Sequence, residues 1–338
     1  MATETPTAGA WADQDSLKGR ISAWLNDHVV LVLLGPPLAI IGAIFVYPVA
    51  WMLYQSLFFT APGLPEPVFR PLYNYETLFT SPEFWTYLEQ TLVYSFGSLA
   101  LSFTSGLLVA LAINQIVNKR LRSTYSTMIL FSWALPLAVV ALMWNWIFVG
   151  QPYGLLNQLL MDLGVISSPL ALLANKDLAL PLVTFVDAWL RMPFAMVVFL
   201  AGLQSIPQHM YDAAKVDGAT TLQSFRNITV PYLRPYMAIV GLISWMFALR
   251  AFSIIYPMTQ GGPGVRTTTL AIYIYREGMV KLDFGYGSAV AVFLVAVDVD
   301  SQCCRAYARS PLSHRVDDGE GSEREHPRDE PDDGHIGT

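Results

Sequence analysis

Long apolar runs constrain this chain more than any other feature of its sequence. A helix needs about 20 apolar residues to cross the hydrocarbon core of a bilayer, and its backbone polar groups must be hydrogen-bonded within the protein. The chain is 54% hydrophobic and 14% charged, proportions outside those of ordinary soluble domains. Six runs reach or approach the required length: residues 29–57, 87–115, 125–149, 181–205, 236–258 and a weaker one from 284 onward. The sequence therefore predicts an all-α membrane protein with about six transmembrane helices.

The distribution of Lys and Arg predicts how the spans are oriented, because short cytoplasmic loops carry an excess of these residues. With the N-terminus inside, the inner segments hold eight of them: Lys18, Arg20, Lys119, Arg120, Arg122, Lys215, Arg226 and Arg234. The outer loops hold five: Arg70, Lys176, Arg266, Arg276 and Lys281. We therefore expect a multi-pass protein of the cell membrane with both termini in the cytoplasm. No cleavable signal peptide is expected, because the first apolar run is too long for one.

The two ends of the chain differ from its middle. In residues 1–28, four apolar residues recur at helical spacing and indicate either a short helix on the inner membrane surface or a solvated tail: Leu17, Ile21, Trp24 and Leu25. The last apolar run gives 13 residues, 285–297, before Asp298, and residues 298–338 hold eleven Asp and Glu against five Arg. This segment is either a disordered acidic tail or the product of a frameshift near Val297, which reading the coding DNA in the other frames would distinguish.

Ionisable residues inside the apolar runs are costly and usually functional. Asp187 and Arg191 are four residues apart, so they share a helix face and can pair. Arg250 has no partner within its own predicted helix. These residues either line a polar cavity or form internal ion pairs that lock helices together.

The cytoplasmic loop of residues 211–235 predicts two short helices around a bend. Gly218 suits the left-handed conformation that closes a helix, Thr220 and Gln223 have capping-box spacing, and Pro231 is expected to end the second helix. An apolar face is expected on that second helix from Leu222, Phe225 and Ile228 or Thr229. Such a face either enters a groove on a partner or packs against the protein's own helix bundle.

The same loop resembles the coupling motif of binding-protein-dependent ABC importer permeases, which reads Glu-Ala-Ala, three residues, Gly, nine residues, Ile, one residue, Leu-Pro. Its matching residues are Asp212, Ala213, Ala214, Asp217, Gly218, Ala219, Phe225, Ile228 and Pro231. Asp212 stands for the usual Glu, and Val230 for the usual Leu. Four further segments support the resemblance: "ALMWNWIF", "YGLLN", "FLAGLQSIP" and "MTQGGPGVRTTTLAIYIY". Taken together, residues 29–297 are similar to the sugar permeases of the maltose and glycerol-phosphate type.

The resemblance implies a transport subunit rather than an enzyme. Its expected partners are a second permease, two ATPase subunits that dock on the loop, and an extracytoplasmic solute-binding protein. No phosphate-binding loop of the form G-x-x-x-x-G-K-[ST] occurs in the sequence, so ATP and Mg²⁺ are expected in the ATPase and no cofactor in this chain. The GGPG segment at 261–264 is expected to form a turn, or to contact the binding protein.

The resemblance also implies a substrate pathway. Sugars need aromatic surfaces and scattered hydrogen-bonding groups. Counted from the loop motif, five residues fall where maltose-type permeases line their site, and two more lie nearby: Arg191, Phe194, Ser244, Phe247 and Ala251, with Trp189 and Arg250. Ordinary bundle packing is the alternative for these side chains.

Other functions remain open at this stage. Glycerol phosphate, a phosphodiester or a peptide would be alternative cargo. A membrane scaffold without transport is the alternative class, although the coupling loop would have no function in a scaffold. Adjacent Cys303 and Cys304 do not indicate a disulfide framework, and the histidines are too scattered to predict a metal or catalytic site: His28, His209, His314, His326 and His335.

Overall fold

The computed structural model describes Trp24, residues 28–60 and residues 66–307. Within these residues five helices are long and apolar enough to cross a membrane, and a bent pair of helices makes a sixth span if counted as one. We number the spans one to six: Leu33–Gln55, Pro82–Asn114, Lys119–Trp133 with Leu137–Phe148, Ala179–Gln204, Thr221–Leu249 and Phe284–Ser301. The predicted all-α membrane fold is confirmed. The predicted N-terminal surface helix and the tail beyond Tyr307 lie outside the described residues.

Short elements connect the spans. The strands Phe58–Phe59 and Val68–Phe69 pair antiparallel after span one. The amide of Asn74 fixes this connection by donating to the backbone oxygens of Ser56 at 2.9 Å and Phe58 at 2.8 Å. The remaining short helices outside the spans are Tyr73–Thr80, Leu155–Asp162, Leu172–Ala174, Gln208–Val216, Phe252–Thr259, Leu270–Tyr275 and Arg276–Val280.

Spans two and four form the centre of the bundle, because small residues let them approach closely. A Cβ atom added at Gly106 would lie 2.6 Å from the Cβ of Ala195 and 3.1 Å from the backbone nitrogen of Met196. Phe103 of span two packs edge-on against buried Phe199 of span four, with ring centroids 4.9 Å apart. This pair of helices supports the polar groups described below.

Span one lies at the periphery of the bundle. It consists of Val29–Ile41, a π turn at Gly42–Val46 and Tyr47–Gln55. None of its apolar window is buried within the protein. An apolar helix with an exposed surface of this kind is suited to contact with lipid.

Span three is bent, as Pro136 predicts. Its two helices meet at 88° between Trp133 and Leu137. Pro136 has an extended ψ of 131° and precedes the second helix, so the proline ends one hydrogen-bond ladder and begins the next.

Span five differs from the prediction at both ends. We expected Pro231 to stop a loop helix and a span to occupy 236–258, but one helix runs from Thr221 to Leu249. It passes through a π turn at Phe225–Thr229, which interrupts the regular hydrogen-bond ladder. Pro231 comes just after this turn, so the helix accommodates it without ending. The helix ends at Arg250, and Phe252–Thr259 is a separate helix.

Span six continues past the point where its apolar run was expected to end. Its helix runs from Phe284 to Tyr307 and includes Asp298. The helix tolerates this carboxylate because Asp298 is buried against Arg250, which forms an ion pair with it. A charged residue was therefore a poor marker of the helix end.

Candidate functional site

The connection between spans four and five forms a compact helical hairpin, which we call the 208–224 hairpin. Its first helix is Gln208–Val216 and its second begins as Thr221–Ser224. Gly218 has φ of +73°, a conformation that favours glycine. Thr220 and Gln223 form a complete capping box at the start of the second helix. The predicted bend and cap are therefore confirmed.

The motif residues divide between the outer surface of the hairpin and its attachment to the bundle. Asp212, Ala213, Asp217 and Gly218 are exposed, and Ala214 and Ala219 are half-buried. Asp212 accepts a long hydrogen bond, 3.4 Å, from the side-chain amide of Gln208. Its carboxylate is thus oriented at the surface and accessible to a partner.

The predicted apolar face of the second helix is not a single face. Leu222 is 75% exposed, whereas Phe225 and Ile228 are half-buried and Thr229 is buried. The π turn at Phe225–Thr229 adds a residue to the turn and rotates the later positions toward the bundle. The exposed apolar surface consists instead of Leu222 with Val216, which is 88% exposed at the end of the first helix.

A cavity of ≈ 280 Å³ lies between the hairpin and the C-terminal ends of spans two and four. Tyr211 and Phe225 line it from the hairpin side, and Asn114 and Leu203 from the spans. The hydroxyl group of Tyr211 is also hydrogen-bonded to that of Thr229. The hairpin is therefore attached to the bundle on one side and exposed on the other.

A charged cluster lies in the middle of the bundle, where spans two, four and five meet. Arg191 Nε donates to Asp187 Oδ2 and Arg191 Nη2 donates to Asp187 Oδ1, both at 2.7 Å. Ser98 of span two donates a short hydrogen bond to Asp187 Oδ2. The predicted pairing of Asp187 and Arg191 is present.

The Arg191 guanidinium also contacts span five. Its central carbon lies 5.2 Å from the centroid of the Phe247 ring, and Nη2 donates to the backbone oxygen of Phe247 at 3.3 Å. Phe247 is 46% exposed. A cation and an accessible aromatic ring thus lie side by side, an arrangement that can bind a hydroxyl-rich ring.

The other predicted pathway residues are distributed around this pair and are less accessible. Trp189 packs edge-on against Trp144 of span three at 5.5 Å, and Phe194 stacks on Trp133 at 6.2 Å. Ser244 is buried, and its hydroxyl has no hydrogen-bond partner among the described residues. Ala251 is buried in an apolar cluster. The structure brings Arg191 and Phe247 together, whereas Trp189 and Ala251 pack against other apolar side chains.

Arg250 has one of the two environments that the sequence analysis left open. It lies just after the end of span five and forms an ion pair with Asp298 of span six. Trp245 makes a second link between these helices, because its indole nitrogen donates to the Ser301 hydroxyl at 3.0 Å. Arg250 thus acts as an interhelical contact, the alternative that the sequence left open.

The GGPG segment forms the predicted turn between the Phe252–Thr259 and Leu270–Tyr275 helices. The Thr267 hydroxyl donates to the Gly262 backbone oxygen at 2.7 Å, and Arg276 donates to the Gln260 backbone oxygen at the same distance. Nearby, a hydrogen bond to Glu277 raises the pKa of Lys281. These bonds give the outer surface of the turn a fixed shape.

The sequence did not lead us to the polar residues that span two contributes to the charged cluster. Ser98 contacts Asp187 directly, and Tyr94 and Ser102 are buried on the same helix. A signal was available, because Tyr94, Ser98 and Ser102 recur every four residues in an otherwise apolar helix. In the described part of the chain, no group of three or more His, Cys, Asp or Glu residues could hold a metal ion.

Comparison with known proteins supplies a family. The sequence profile of the family described as "Binding-protein-dependent transport system inner membrane component" matches residues 102–299. The chain is 36% identical to the sulfoquinovosyl glycerol transport system permease protein SmoG of Agrobacterium fabrum, over 83% of this chain and 91% of that protein. It is 35% identical to the trehalose/maltose transport system permease protein MalF of Thermococcus litoralis, over 76% of this chain and 85% of that protein.

A solved structure has the same fold. A chain of the bacterial alginate ABC transporter, crystallised in complex with an alginate pentasaccharide-bound periplasmic protein, superposes with a TM-score of 0.72. The two chains are 24% identical, and the match covers 87% of this chain and 98% of the other.

Proposed function

The chain belongs to the binding-protein-dependent transport system inner-membrane components, and on this premise we propose that it is the permease of an ATP-driven saccharide importer. As a multi-pass membrane protein of this family, it is a transport subunit. The observation that carries the proposal is the 208–224 hairpin, which exposes motif residues at its surface while remaining attached to span five.

The hairpin is the proposed docking element for an ATPase subunit. Exposed Val216 and Leu222 offer an apolar contact, and Asp212 and Asp217 add two carboxylates beside it. Burying two apolar side chains within a polar rim is typical of a specific protein contact. Ala213 and Gly218 are exposed and belong to the same surface, and the half-buried motif residues support it: Ala214, Ala219, Phe225, Ile228 and Pro231.

The proposed assembly contains this chain, a second permease, two ATPase subunits and an extracytoplasmic solute-binding protein. ATP and Mg²⁺ belong to the ATPases. Both termini lie in the cytoplasm, in agreement with the excess of Lys and Arg in the inner segments. The hairpin is then cytoplasmic, and the GGPG turn faces the binding protein.

A saccharide is the proposed cargo. The names of both relatives above contain a glycoside or a disaccharide. In this chain the exposed ring of Phe247 provides a surface for a sugar ring, and the adjacent guanidinium of Arg191 provides hydrogen-bond donors. Phe194 and Ser244 lie on the same spans and are proposed to extend this pathway.

Uptake of labelled solutes by the reconstituted transporter tests the proposed function. The chain is co-expressed with its companion subunits, and uptake of radiolabelled maltose, trehalose and glycerol 3-phosphate is measured in proteoliposomes with the binding protein. We expect ATP-dependent uptake of at least one disaccharide. Uptake of glycerol 3-phosphate alone would contradict the saccharide assignment.

Hairpin variants test the docking surface. Val216→Asp and Leu222→Asp are expected to abolish co-purification of the ATPase, because each places a carboxylate in the apolar contact. Val117→Asp is the matched control, since Val117 is 95% exposed in the connection between spans two and three. Equal loss of the ATPase in all three variants would contradict docking by the hairpin.

A further inference from the structure

Asp187 occupies one whole edge of the Arg191 guanidinium. Its two carboxylate oxygens accept from Nε and Nη2 at 2.7 Å each, and its side chain is fully buried. Ser98 donates to the same carboxylate from span two. The paired N–H groups that usually bind an acidic ligand are therefore engaged within the protein.

One nitrogen of the guanidinium remains available to a ligand. Nη2 also donates to the Phe247 backbone oxygen, whereas no hydrogen bond of Nη1 is found within the described residues. The Arg191 side chain is 12% exposed, and the Phe247 ring beside it is more accessible. Nη1 can donate to a single hydroxyl oxygen of a sugar lying against that ring.

The pair also has no net charge. Asp187 and Arg191 are the only charged residues of span four. The charged residues of spans two and five lie away from this pair. Glu83 and Glu89 are in the first third of span two, and Arg226 and Arg234 are exposed and precede Phe247 by thirteen residues or more. An anion in the middle of the bundle would thus lose its hydration without meeting an uncompensated positive charge.

We propose that Asp187 is a positioning residue that makes this permease select uncharged saccharides over acidic ones. It cancels the charge of Arg191, occupies the edge that a carboxylate would require, and holds the remaining nitrogen beside Phe247. This inference rests on the proposed function and specifies its substrate class.

The test compares a neutral and an acidic form of one disaccharide. Whichever of maltose or trehalose is taken up in the assay above is used, together with its derivative in which one C6 hydroxymethyl group is oxidised to a carboxylate. The ratio of acid to neutral uptake is measured for wild-type and variant transporters in proteoliposomes with the same binding protein. Since the binding protein is unchanged, a change in the ratio reports on the permease.

Asp187→Asn is expected to raise the acid-to-neutral ratio by about tenfold, the effect of one added charge-assisted hydrogen bond. The double variant Asp187→Asn with Arg191→Gln is expected to return the ratio to the wild-type value. Arg191→Gln alone leaves the carboxylate uncompensated and is expected to lower the ratio, which tests the inference even if Asp187→Asn does not assemble. Thr104→Ala is the matched control on span two, with an unchanged ratio, because Thr104 is exposed and its hydroxyl donates to the backbone oxygen of Ala100 in its own helix.

The outcomes separate the two proposals. Disaccharide uptake with the same ratio in wild type, Asp187→Asn and Arg191→Gln overturns the role of Asp187 and leaves saccharide transport intact. A wild-type preference for the acidic form also overturns it. No uptake of either disaccharide by an assembled wild-type transporter overturns the proposed function, and this inference with it.

Discussion

The hydroxyl oxygens of Tyr211 and Thr229 lie 2.9 Å apart. Tyr211 belongs to the first helix of the 208–224 hairpin, and Thr229 is buried in the π turn through which the hairpin continues into span five. The second hairpin helix, the π turn and span five form one continuous helix, and this hydrogen bond attaches the first helix to it. If an ATPase docks on the hairpin as proposed, a displacement of the hairpin would be transmitted to span five through this hydrogen bond and the continuous helix.

Removing this hydrogen bond is expected to weaken the transmission while docking persists. Tyr211→Phe should lower the free energy of unfolding by about 1 kcal/mol, the net value of one hydrogen bond. The ATPase should still co-purify, because Val216 and Leu222 are unchanged, but sugar uptake per ATP hydrolysed should fall. Tyr232→Phe, at a 40% exposed tyrosine of the same span, is the control. An unchanged ratio of uptake to hydrolysis in Tyr211→Phe would contradict this role.

The conformation of Gly218 leads to a second prediction. A Cβ atom at this position would meet nothing within 4 Å, so the requirement for glycine comes from φ of +73° alone. Gly218→Ala should lower the free energy of unfolding by about 1–2 kcal/mol and reduce co-purification of the ATPase. Gly218→Asn should lower the free energy of unfolding by less, because asparagine tolerates this conformation better. Gly164→Ala is a close control, because Gly164 has φ of +68° and equally open surroundings in the connection between spans three and four. It should cost similar stability and leave co-purification intact; equal ATPase loss in both would show that strain alone causes it.

The contact between spans two and four gives a third prediction. Gly106→Ala should destabilise the protein by about 1–3 kcal/mol, because the new methyl group would overlap Ala195 and the backbone behind it. Gly35→Ala adds the same group to span one, where nothing lies within 4 Å, and should cause no loss. Thermal unfolding of the detergent-purified complex measures both. A melting temperature that is equally lowered by the two substitutions would contradict the close crossing of these helices.

The sequence predicted the parts of the fold that depend on local pattern. Apolar length located the spans, Pro136 predicted the bend in span three, and Thr220 with Gln223 predicted a helix start. The π turn was not predicted, because it depends on how span five packs, and Pro231 therefore appeared to be a helix end.

The candidate site was predicted only in part, for a similar reason. The four-residue spacing of Asp187 and Arg191 predicted their pairing, since both lie on one helix. The contact of Arg191 with Phe247 and the hydrogen bond from Ser98 join different helices, and only the three-dimensional packing shows them. The motif alignment named Arg191 and Phe247 as pathway residues, but it gave no account of Asp187 as the group that holds the Arg191 guanidinium.

The ion pair between Arg250 and Asp298 gives the last prediction. Asp298 is buried in span six, whereas the Arg250 side chain is 58% exposed. Arg250→Ala should lower the free energy of unfolding by about 1.5–3 kcal/mol, the value of a hydrogen bond to a charged group, because the buried carboxylate loses a counter-charge.

Replacing both residues, as Arg250→Ala with Asp298→Asn, removes the buried charge as well and should be less destabilising than Arg250→Ala alone. Thermal unfolding of wild type, both single variants and the double variant measures this coupling. A double variant at least as unstable as Arg250→Ala would mean that the carboxylate of Asp298 does not depend on Arg250, and that spans five and six are held together by other contacts, such as Trp245 with Ser301.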